Sequence, residues 1–407
     1  MTRLRARTRA AVAAGRATGW LSRALGRGAG EQISGRVMLK VQPDVLERLA
    51  AGHRVVLVSA TNGKTTTTRL LTAALEAQGE PVLSNHTGAN LASGVASALA
   101  RAVAPSFAVL EVDERVLPRV FEALRPELLV LGNLSRDQLD RYGEVRSVGE
   151  QWRTLCSAHP TLAVVANASD PHVAWAASPA DTTWVRLGAG WRGDAATCPR
   201  CGELLDWTES GYSSTCGFTQ PSTDNGLDGS TLTLGAERVH LELALPGRWN
   251  LANAALAVLA ATRLGVRAAH AAAAAATVTT VSGRYATYRL PDGRPLRVLL
   301  AKNPAGWTEV LAYLAGVDTS VVLAVNAHIA DGKDPSWLWD VPYEVLAGKE
   351  VAVAGERALD VAVRLRYAGV ECLLADDPID AATRLAGASV QVVASYTQFH
   401  ELTRRLA

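Results

Sequence analysis

Long apolar runs are missing from this sequence of 407 residues, which nowhere has 18 consecutive apolar residues. A helical membrane span needs about that many, so an integral membrane protein is excluded. Net charge is also small, +2 from 41 basic and 39 acidic residues, and gives no reason to expect a nucleic-acid partner. Cysteine is scarce and odd in number, five in all, in a chain without a recognisable export signal. A disulfide framework is therefore not expected.

Acidic residues are absent before Glu31, whereas the segment preceding it holds seven arginines among alanine, valine, leucine and tryptophan. This pattern predicts a basic amphipathic helix within an N-terminal extension of residues 1–30. Arg16 and Arg23 interrupt any apolar core of signal-peptide length, so we expect no cleavage. Two interpretations remain open: the helix contacts anionic lipid or a partner chain, or it is a solvated helix at a frayed terminus.

The remaining composition is typical of a globular protein, with 48% hydrophobic and 20% charged residues. The length exceeds one ordinary core and predicts two domains plus the extension. Short β-branched runs without polar alternation, separated by helical patterns, predict a doubly wound, mostly parallel α/β domain. The predicted strands are His53–Ser59, Phe107–Val112, Leu128–Leu131 and Leu162–Val165, and helical patterns include Arg115–Leu124 and Leu251–Leu264.

The segment Ala60–Thr67 reads ATNGKTTT and directly follows the first of these strands. A helical pattern over Thr65–Gln78 comes next, which gives the strand, loop and helix context of a phosphate-binding loop. Val58 stands where the strict Walker pattern has glycine, and a chance GKT is the alternative. The context favours a nucleotide site.

Each residue type in this loop suits part of a nucleotide site. Backbone N–H groups around Asn62 and Gly63 can bind phosphate oxygens at a helix N-terminus. The Lys64 ammonium can neutralise charge between the β and γ phosphates, and the Thr65 hydroxyl can ligate Mg²⁺. The loop therefore predicts binding of ATP with Mg²⁺.

Composition changes twice further along the chain. From Ala195 to Asp228, glycine, serine, threonine and cysteine replace the βα pattern, which predicts an inserted module. A new unit begins after Tyr288, with the boundary expected at the turn Pro291–Gly293, so the predicted domains are 31–288 and 289–407. Predicted strands at 297–301, 321–326, 351–354 and 391–394 make the second domain a smaller, Rossmann-like α/β domain.

The form ATNGKT, with Ala60 where relatives often have glycine, resembles the central domain of the Mur ligases. Glu111 in EVDE resembles the Mg²⁺-binding glutamate of that family, with a helix-start charge as the alternative. Asn133 and Asp137 in NLSRDQLDRYGEV resemble a further family motif. Gln138 replaces the usual histidine of that motif, so the chain does not match the family's second metal site. The resemblance implies the Mur ligase fold.

Several polar residues downstream extend the resemblance. Asn167 and Asp170 in NASDP match another Mur segment, and Asn250 and Asn253 match paired asparagines, of which the first is expected near adenine. Arg284 in SGRY matches an arginine expected at the γ-phosphate, where a guanidinium can stabilise the transferring group. The resemblance thus implies ATP contacts from Thr61, Asn62, Gly63, Lys64, Thr65, Thr66, Asn250 and Arg284, Mg²⁺ ligation by Thr65 and Glu111, and catalytic roles for Lys64, Glu111 and Arg284.

The second domain opens with LLAKNPAGW, which has Lys302 in place of the family's histidine and Leu299 in place of its ribose-binding aspartate. With these departures the chain resembles one branch of the family, the MurT subunits of lipid II isoglutaminyl synthase, which pair with a GatD-type glutaminase. SNHTGANL at 84–91 and ADGKDPSWLWDVPYE at 330–344 indicate the same branch. The loop starts at Ala60, so we expect no room for the N-terminal nucleotide-sugar domain of ordinary Mur ligases.

The ADGKDPSWLWD segment offers three aspartates, Asp331, Asp334 and Asp340. The resemblance implies that one of them reaches the partner's Cys-His pair and orients its histidine. We expect Asp340 to have this role, and a cap on the following segment is the alternative. Trp337 and Trp339 suit either an interface or core packing.

Three cysteines are clustered: Cys198-Pro-Arg-Cys201 is followed by Cys216-Gly-Phe-Thr219. Two C-x-x-C knuckles would form a structural zinc ribbon, which the resembled family has. Thr219 holds the fourth place and is a poor zinc ligand. We therefore expect a degenerate ribbon without tight zinc binding, with a zinc site closed by a foreign ligand as the alternative.

The resemblance implies ATP-dependent amidation of the α-carboxylate of D-glutamate in the lipid II stem peptide, through an acyl phosphate. Ammonia would come from the glutaminase partner, and a cytoplasmic protein at the inner face of the membrane is expected. A stand-alone Mur or folylpolyglutamate-type amino-acid ligase is one rival, against which Lys302 and Gln138 argue. A nucleotide-binding scaffold without ligase chemistry is the other, and the retained Lys64, Glu111 and Arg284 disfavour it.

Overall fold

The structure, a computed structural model, describes residues 6–25, 30–85, 88–102, 107–137, 145–188, 190–281 and 283–406. These residues form two compact units. The first unit draws on Met1–Leu134, Val145–Ala189 and Ala195–Thr279. The second draws on Ser135–Glu144, Gly190–Asp194 and Thr280–Ala407.

The first unit is built from alternating strands and helices, followed by small antiparallel elements. Its described helices are α1 (Ala6–Ala24), α2 (Glu31–Val41), α3 (Val45–Ala50), α4 (Lys64–Glu76), α5 (Ala92–Leu99), α6 (Leu117–Leu124), α7 (Val145–Ala158), α8 (Pro171–Ala177), α9 (Arg248–Arg263) and α10 (Ala268–Ala276). Its described strands are β1 (Arg54–Ser59), β2 (Val82–Ser84), β3 (Phe107–Glu111), β4 (Leu128–Leu131), β5 (Ala163–Asn167), β6 (Asp181–Val185), β7 (Asp206–Thr208), β8 (Gly211–Ser213), β9 (Gly226–Asp228), β10 (Thr231–Leu234) and β11 (Glu237–His240).

The main sheet of this unit has six parallel strands in the order β2-β3-β1-β4-β5-β6. Val58 pairs with Glu111 on β3, and Ser59 pairs with Leu131 on β4. The carboxyl ends of the three central strands therefore lie side by side. This is the edge where open α/β sheets bind ligands, and the predicted doubly wound α/β fold is confirmed.

Helix α4 begins within the ATNGKTTT segment, at Lys64, and buries the apolar positions that the sequence spaces at helical intervals. Leu70, Leu71, Ala74 and Leu75 are all buried. The helix packs against α9 and α10. Burial of this stripe fixes the start of α4 at the end of β1, which positions the loop.

The N-terminal helix α1 forms as predicted, but it is not a solvated helix at a frayed terminus. It packs along α2, which in turn packs against α5. Small residues permit this contact: a Cβ on Gly35 would lie 1.7 Å from the carbonyl oxygen of Ser93, and one on Gly15 would meet Met38. The frayed-helix interpretation is therefore wrong, because one face of α1 is part of the first unit's packing.

The predicted inserted module consists of short antiparallel elements. Strands β7 and β8 form a hairpin, and β9, β10 and β11 form a three-stranded sheet. A small core of Cys198, Leu205 and Tyr212 packs with Ala174 of α8. The antiparallel region extends past the predicted end at Asp228 to His240.

The second unit is also α/β. Its elements are strands β12 (Tyr285–Arg289), β13 (Pro295–Leu300), β14 (Ser320–Ala324), β15 (Val351–Ala354), β16 (Leu373–Leu374) and β17 (Val390–Ala394), helices α11 (Pro304–Ala315), α12 (Ala358–Tyr367), α13 (Pro378–Arg384) and α14 (Tyr396–Leu406), and 3₁₀ turns at Ser336–Asp340 and Tyr343–Leu346. The strand order is β12-β13-β17-β14-β15-β16, with β12 antiparallel and the others parallel. The turn at Pro291–Gly293 joins β12 to β13, so β12 belongs to the C-terminal sheet.

Candidate active site

The loop within ATNGKTTT connects β1 to α4. An asparagine that follows β4 forms hydrogen bonds with its main chain. Asn133 accepts from the Thr61 N–H through its carbonyl (2.8 Å) and from the Asn62 N–H through Oδ1 (3.0 Å), and its Nδ2 donates to the Asn62 carbonyl (2.8 Å). These bonds occupy two of the N–H groups that the sequence suggested for phosphate. The anion-binding part of the loop therefore begins at Gly63 and the N-terminus of α4.

Gly63 has φ 87°, a left-handed conformation that favours glycine. A Cβ at this position would lie 2.1 Å from Oδ1 of Asn253, so the α9 asparagine fills the space beside it. The same Oδ1 accepts from the Thr67 hydroxyl at 3.3 Å. Asn250, one turn earlier on α9, donates to the Pro246 carbonyl at 2.6 Å. The paired asparagines thus adjoin the loop, and Asn253 contacts it directly.

Lys64 is 3% exposed and lies among oxygen atoms. Its ammonium bonds to the carbonyl oxygens of Ala60 and Thr61 and forms an ion pair with Glu114, with Nζ 2.9 Å from Oε2. Burial lowers the pKa of Lys64, but the carboxylates of Glu114, Asp113 and Glu111 outweigh burial and raise it above its usual value. The lysine is therefore a fixed positive charge at the start of α4.

Glu111 ends strand β3 and has a fully buried side chain. Asn85 brackets its main chain: Nδ2 donates to the Glu111 carbonyl and Oδ1 accepts from its N–H, each at 2.8 Å. Trp152 holds the main chain of the nearby Glu114, since its Nε1 donates to the Glu114 carbonyl at 2.7 Å. An acidic group is thus built beside Lys64.

The donor set at this edge of the sheet fits Mg²⁺. Hard carboxylate and hydroxyl oxygens are the ligands this ion prefers, and it uses few protein ligands because substrate phosphates supply others. Glu111 offers the carboxylate, and Thr65, which is 2% exposed in the first turn of α4, offers the hydroxyl. Both belong to the first unit, on adjoining elements.

Asn167 and Asp170 have local structural roles. Asn167 accepts from the N–H of Ser169 at 2.9 Å, which forms a turn after β5. Asp170 caps α8 by accepting from the N–H groups of His172 and Val173, and its other oxygen accepts from the Leu134 N–H at 2.8 Å. These two residues shape the scaffold beneath the loop that contains Asn133.

In the second unit, Arg284 lies just before β12, and its carbonyl accepts from the Leu300 N–H at 3.1 Å. Burial lowers the pKa of His400 on α14, and the nearby Arg284 guanidinium lowers it further. Lys302 forms a partly buried ion pair with Asp137. An ammonium therefore neutralises the carboxylate that the sequence placed in a family metal motif, and Gln138 of that motif lies outside the described residues.

The three aspartates of the ADGKDPSWLWD segment have different environments. Asp331 is buried and accepts from Thr397 N–H (2.8 Å), the Thr397 hydroxyl (2.6 Å) and His328 N–H (3.1 Å). Asp334 accepts from the N–H of Ser336 at 2.9 Å, which lowers the pKa of its carboxyl. Asp340 is exposed at the end of its 3₁₀ turn. Asp331 is therefore committed to internal bonds, whereas Asp340 presents its carboxylate at the surface.

Asp340 is held by an arginine that the sequence did not single out. Nη2 of Arg136 lies 2.8 Å from Oδ2 of Asp340, and Nε of the same guanidinium lies 3.1 Å from Oδ1 of Asp194. Asp194 also accepts from the indole N–H of Trp191 at 2.7 Å. Arg136 therefore orients Asp340 from one side.

The two tryptophans beside Asp340 differ in exposure. Trp337 packs against the buried Trp307, with ring centroids 6.0 Å apart. Trp339 is 53% exposed and contacts the exposed ring of Tyr367 at 5.4 Å. Core packing thus describes Trp337, and Trp339 lies on the surface.

The cysteine cluster forms as the spacing predicts. The sulfur atoms of Cys198, Cys201 and Cys216 lie within 4.8 Å of one another. The 3.7 Å between Cys198 and Cys216 is close to the separation of about 3.8 Å that follows for two thiolates on one tetrahedral zinc ion. The Ser214 hydroxyl lies 3.4 Å from the Cys201 sulfur, and Thr219 is exposed. Three of the four ligands that structural zinc needs are therefore present among the described residues.

Comparison with known proteins agrees with this geometry. Residues 58–261 match the Mur ligase middle domain family, and residues 300–399 match the MurT ligase C-terminal family. The lipid II isoglutaminyl synthase (glutamine-hydrolyzing) subunit MurT of Streptococcus pneumoniae is 30% identical over 89% of this chain and 87% of its own length. The MurT subunit from Staphylococcus aureus N315 is 30% identical over 86% of this chain and 85% of its own length. The chain belongs to the MurT family.

Among solved structures, a pseudomurein peptide ligase type C from Methanothermus fervidus resembles this MurT-family chain with a TM-score of 0.68. The match covers 90% of this chain and 81% of that ligase at 18% identity, and at that identity it shows the fold alone. The predicted Mur ligase fold is confirmed.

Four residues near the sites of this MurT-family chain escaped the sequence analysis as individual candidates: Glu114, Asn85, Arg136 and Ser214. Glu114 meets Lys64 because β1 pairs with β3, and Asn85 meets Glu111 because β2 pairs with β3. Glu114 stands in the EVDE segment and could have been suspected there. Asn85 and Arg136 stand in the SNHTGANL and NLSRDQLDRYGEV segments, which indicated the family but no role for either side chain. Ser214 carries no local signal, because an isolated serine is common on any surface.

Proposed function

We propose that this chain is the synthetase subunit of a glutamine-dependent amide ligase that acts on lipid II. ATP transfers its γ-phosphoryl group to the α-carboxylate of D-glutamate in the stem peptide. Ammonia then attacks the acyl phosphate, the C–O bond to phosphate breaks and the nitrogen loses a proton. The stem peptide then contains D-isoglutamine, and ADP and phosphate are released. The order is chemically necessary, because a carboxylate would have to expel oxide, whereas the acyl phosphate can expel phosphate.

The assembly of Lys64, Glu111 and Glu114 at the carboxyl edge of the parallel sheet is the observation that carries this proposal. The buried Lys64 ammonium would bind the β and γ phosphates, with Gly63 and the first turn of α4 around them. Glu111 and Thr65 would hold Mg²⁺, which when bound supplies charge neutralisation for the phosphates. Thr61, Asn62, Thr66 and Asn250 would complete the ATP contacts, and we assign Arg284 of the second unit to the γ-phosphate.

Ammonia would come from a separate glutaminase subunit of the GatD type. Neither cysteine outside the cluster suits glutamine hydrolysis: burial raises the pKa of Cys156 to about 12, and burial also raises the pKa of Cys372. A nucleophilic thiol needs the opposite shift. Asp340, exposed and oriented by Arg136, would orient the histidine of the partner's Cys-His pair.

The partner would dock on the exposed apolar surface beside Asp340. Trp339 and Tyr367 contact each other there, and Leu359, Val363 and Tyr367 recur on one face of α12 at four-residue spacing. These four side chains are 50% to 76% exposed. Exposed aromatic and aliphatic side chains of this kind are typical of the centre of a protein interface. We name these four residues the α12 surface.

The domain roles follow from this assignment. The first unit would form the central ATP-binding domain, and the second unit, which includes β12, would form the C-terminal domain that contacts the glutaminase. The cysteine module would be a degenerate ribbon that binds zinc weakly, since its fourth knuckle position is Thr219. It would have no catalytic role.

The reaction would take place at the inner face of the membrane, because the substrate is lipid-linked. Within the described part of the chain, no helix combines the length and apolar character of a membrane span. We therefore propose peripheral association with the membrane surface.

The proposal is tested with the purified chain, lipid II and ATP, by following phosphate release and the mass of the stem peptide. Ammonium alone should support amidation, and glutamine should do so only when the glutaminase subunit is present. Turnover that needs an amino acid and not ammonia would instead identify an amino-acid ligase. Absence of turnover under every condition would identify a scaffold and overturn the proposal.

A further inference from the structure

The outward face of α1 is apolar. The opposite face of this helix is buried, through Thr8, Ala11, Val12, Gly15 and Gly19, and packs on α2. At about 100° per residue, positions 10, 13, 17, 20, 21 and 24 point to the other side. They are Ala10, Ala13, Ala17, Trp20, Leu21 and Ala24, and all six are exposed.

The largest of these side chains are well exposed: Trp20 is 64% exposed and Leu21 is 50% exposed. Leu25, 59% exposed, continues the last turn, since its N–H donates to the Leu21 carbonyl at 3.0 Å. A surface helix normally buries its apolar stripe and presents polar residues to water. Helix α1 instead exposes its largest apolar side chains, those of Trp20 and Leu21, at its C-terminal end.

The charge along this helix is of one sign. Arg9, Arg16 and Arg23 recur at seven-residue spacing and therefore form a stripe beside the apolar face. Arg16 bonds to the Ala100 carbonyl at 2.6 Å, which ties the stripe to the first unit. No acidic residue precedes Glu31, and Glu31 is itself paired with Arg101. The charged side chains of the first 30 residues are therefore all basic.

From this geometry we infer that the outward face of α1 docks on an anionic lipid bilayer. Helices that lie in the membrane interface combine arginine or lysine with tryptophan and leucine in this way. Tryptophan favours the headgroup region, and arginines beside it meet the negative surface potential of anionic lipids. A second copy of the chain fits poorly, because two such faces would bring arginine stripes of like charge together. Nucleic acid would satisfy the arginines but leave Trp20, Leu21 and Leu25 without an apolar environment.

This inference specifies which part of the chain would bind the membrane in the proposed function. It rests on the proposed function only because a lipid-linked substrate explains why the chain would bind a bilayer. The buried contacts of α1 with α2 make the docking face a fixed part of the first unit. The bilayer would thus orient the unit that contains Lys64 and Glu111.

The test uses the full chain with sedimenting vesicles, without ATP or lipid II, so its outcome is independent of amidation. Vesicles of phosphatidylcholine with phosphatidylglycerol are compared with phosphatidylcholine alone. The native chain should sediment with the anionic vesicles and be released as salt shortens the screening length. Trp20→Glu with Leu21→Glu should lower partitioning at least tenfold, and Leu204→Glu, at a side chain 74% exposed elsewhere in the first unit, should leave it unchanged.

Circular dichroism melting of each variant checks that the fold is retained, and Arg9→Gln with Arg23→Gln provides a second variant that keeps the apolar face. This second variant should bind anionic vesicles more weakly than the native chain does. Its binding to vesicles of phosphatidylcholine alone should equal that of the native chain. Equal binding by all variants, or no binding to anionic vesicles, would overturn the inference. The inference would also be overturned if the native chain did not bind vesicles but formed a dimer or bound duplex DNA, and if the Trp20 and Leu21 changes abolished that association.

Discussion

The ammonium nitrogen of Lys64 lies 2.9 Å from Oε2 of Glu114, although 50 residues separate them in the chain. Both side chains are largely buried, with 4% and 12% exposed. Strand pairing between β1 and β3 brings the two together. A buried ion pair that loses one member leaves an uncompensated charge, so stability and catalysis can be separated experimentally at this site.

Lys64→Met should abolish ATP turnover and lower the free energy of unfolding by about 3 kcal/mol, because the Glu114 carboxylate loses its cation. The double variant Lys64→Met with Glu114→Gln should recover most of that stability and none of the turnover. Denaturant unfolding and phosphate release measure the two effects. Recovered turnover in the double variant would contradict the phosphate-binding role of Lys64.

The same pair sets a pH dependence. The pKa of Lys64 is raised above its ordinary value of 10.5 in the folded state. The contribution of the Lys64 charge to stability is therefore complete below about pH 10.5 and is lost as pH rises through the folded pKa. The lysine should stay charged throughout the range in which the enzyme is assayed.

Glu111→Gln should lower turnover at least 100-fold and raise the Mg²⁺ concentration needed for half-maximal rate, because a carboxamide is a weaker magnesium ligand. The side chain keeps its shape, so the thermal melting temperature should change little. Glu127→Gln is the matched control, since Glu127 pairs with Arg54 at the opposite end of β1. An unchanged Mg²⁺ requirement in Glu111→Gln would refute the assigned role.

Changes on the α12 surface should weaken association with the glutaminase subunit. Val363→Asp with Tyr367→Asp places charge in the centre of the proposed interface and should raise the dissociation constant at least tenfold. Ammonium-dependent amidation should remain. Leu204→Asp, which alters an equally exposed apolar residue in the first unit, serves as the control. Unaltered affinity measured by calorimetry would place the partner elsewhere.

Thr219→Cys should convert weak zinc binding into tight binding, because it completes the second C-x-x-C knuckle beside three thiols that already lie within 4.8 Å. Metal analysis of the purified protein should rise from well below one zinc per chain to about one. The melting temperature should rise with it, and Thr219→Ser should change neither. A native chain that already retains one zinc through gel filtration would contradict the degenerate-ribbon interpretation.

Local patterns predicted much of the fold. The apolar run that ends at Ser59 predicted a buried strand, and the spacing of Leu70, Leu71 and Leu75 predicted a helix with one apolar face. The loop between them was therefore placed correctly. The same reasoning found the C-terminal strands, because each is a short β-branched run.

Other features depend on contacts that no local pattern encodes. The role of Asn133 as a clamp on the loop requires β4 to lie beside β1. The turn at Pro291–Gly293 resembled a domain boundary, although it is a hairpin within the C-terminal sheet, because a turn signal is the same in both settings. The apolar outward face of α1 became apparent only when Ala11, Gly15 and Gly19 proved to lie on its buried side.

Amidation of lipid II by the Asp340→Asn variant separates the synthetase reaction of this chain from its part in glutamine hydrolysis by the partner. With the glutaminase subunit and ATP present, the mass of the stem peptide is measured after incubation with ammonium or with glutamine, and Asp334→Asn is carried alongside. We predict that the native complex forms the amide from either donor, whereas Asp340→Asn forms it from ammonium and loses glutamine-driven amidation at least 100-fold. Loss of amidation with both donors would show that Asp340 does not act through the glutaminase, and no amide from the native complex would refute the proposed ligase activity.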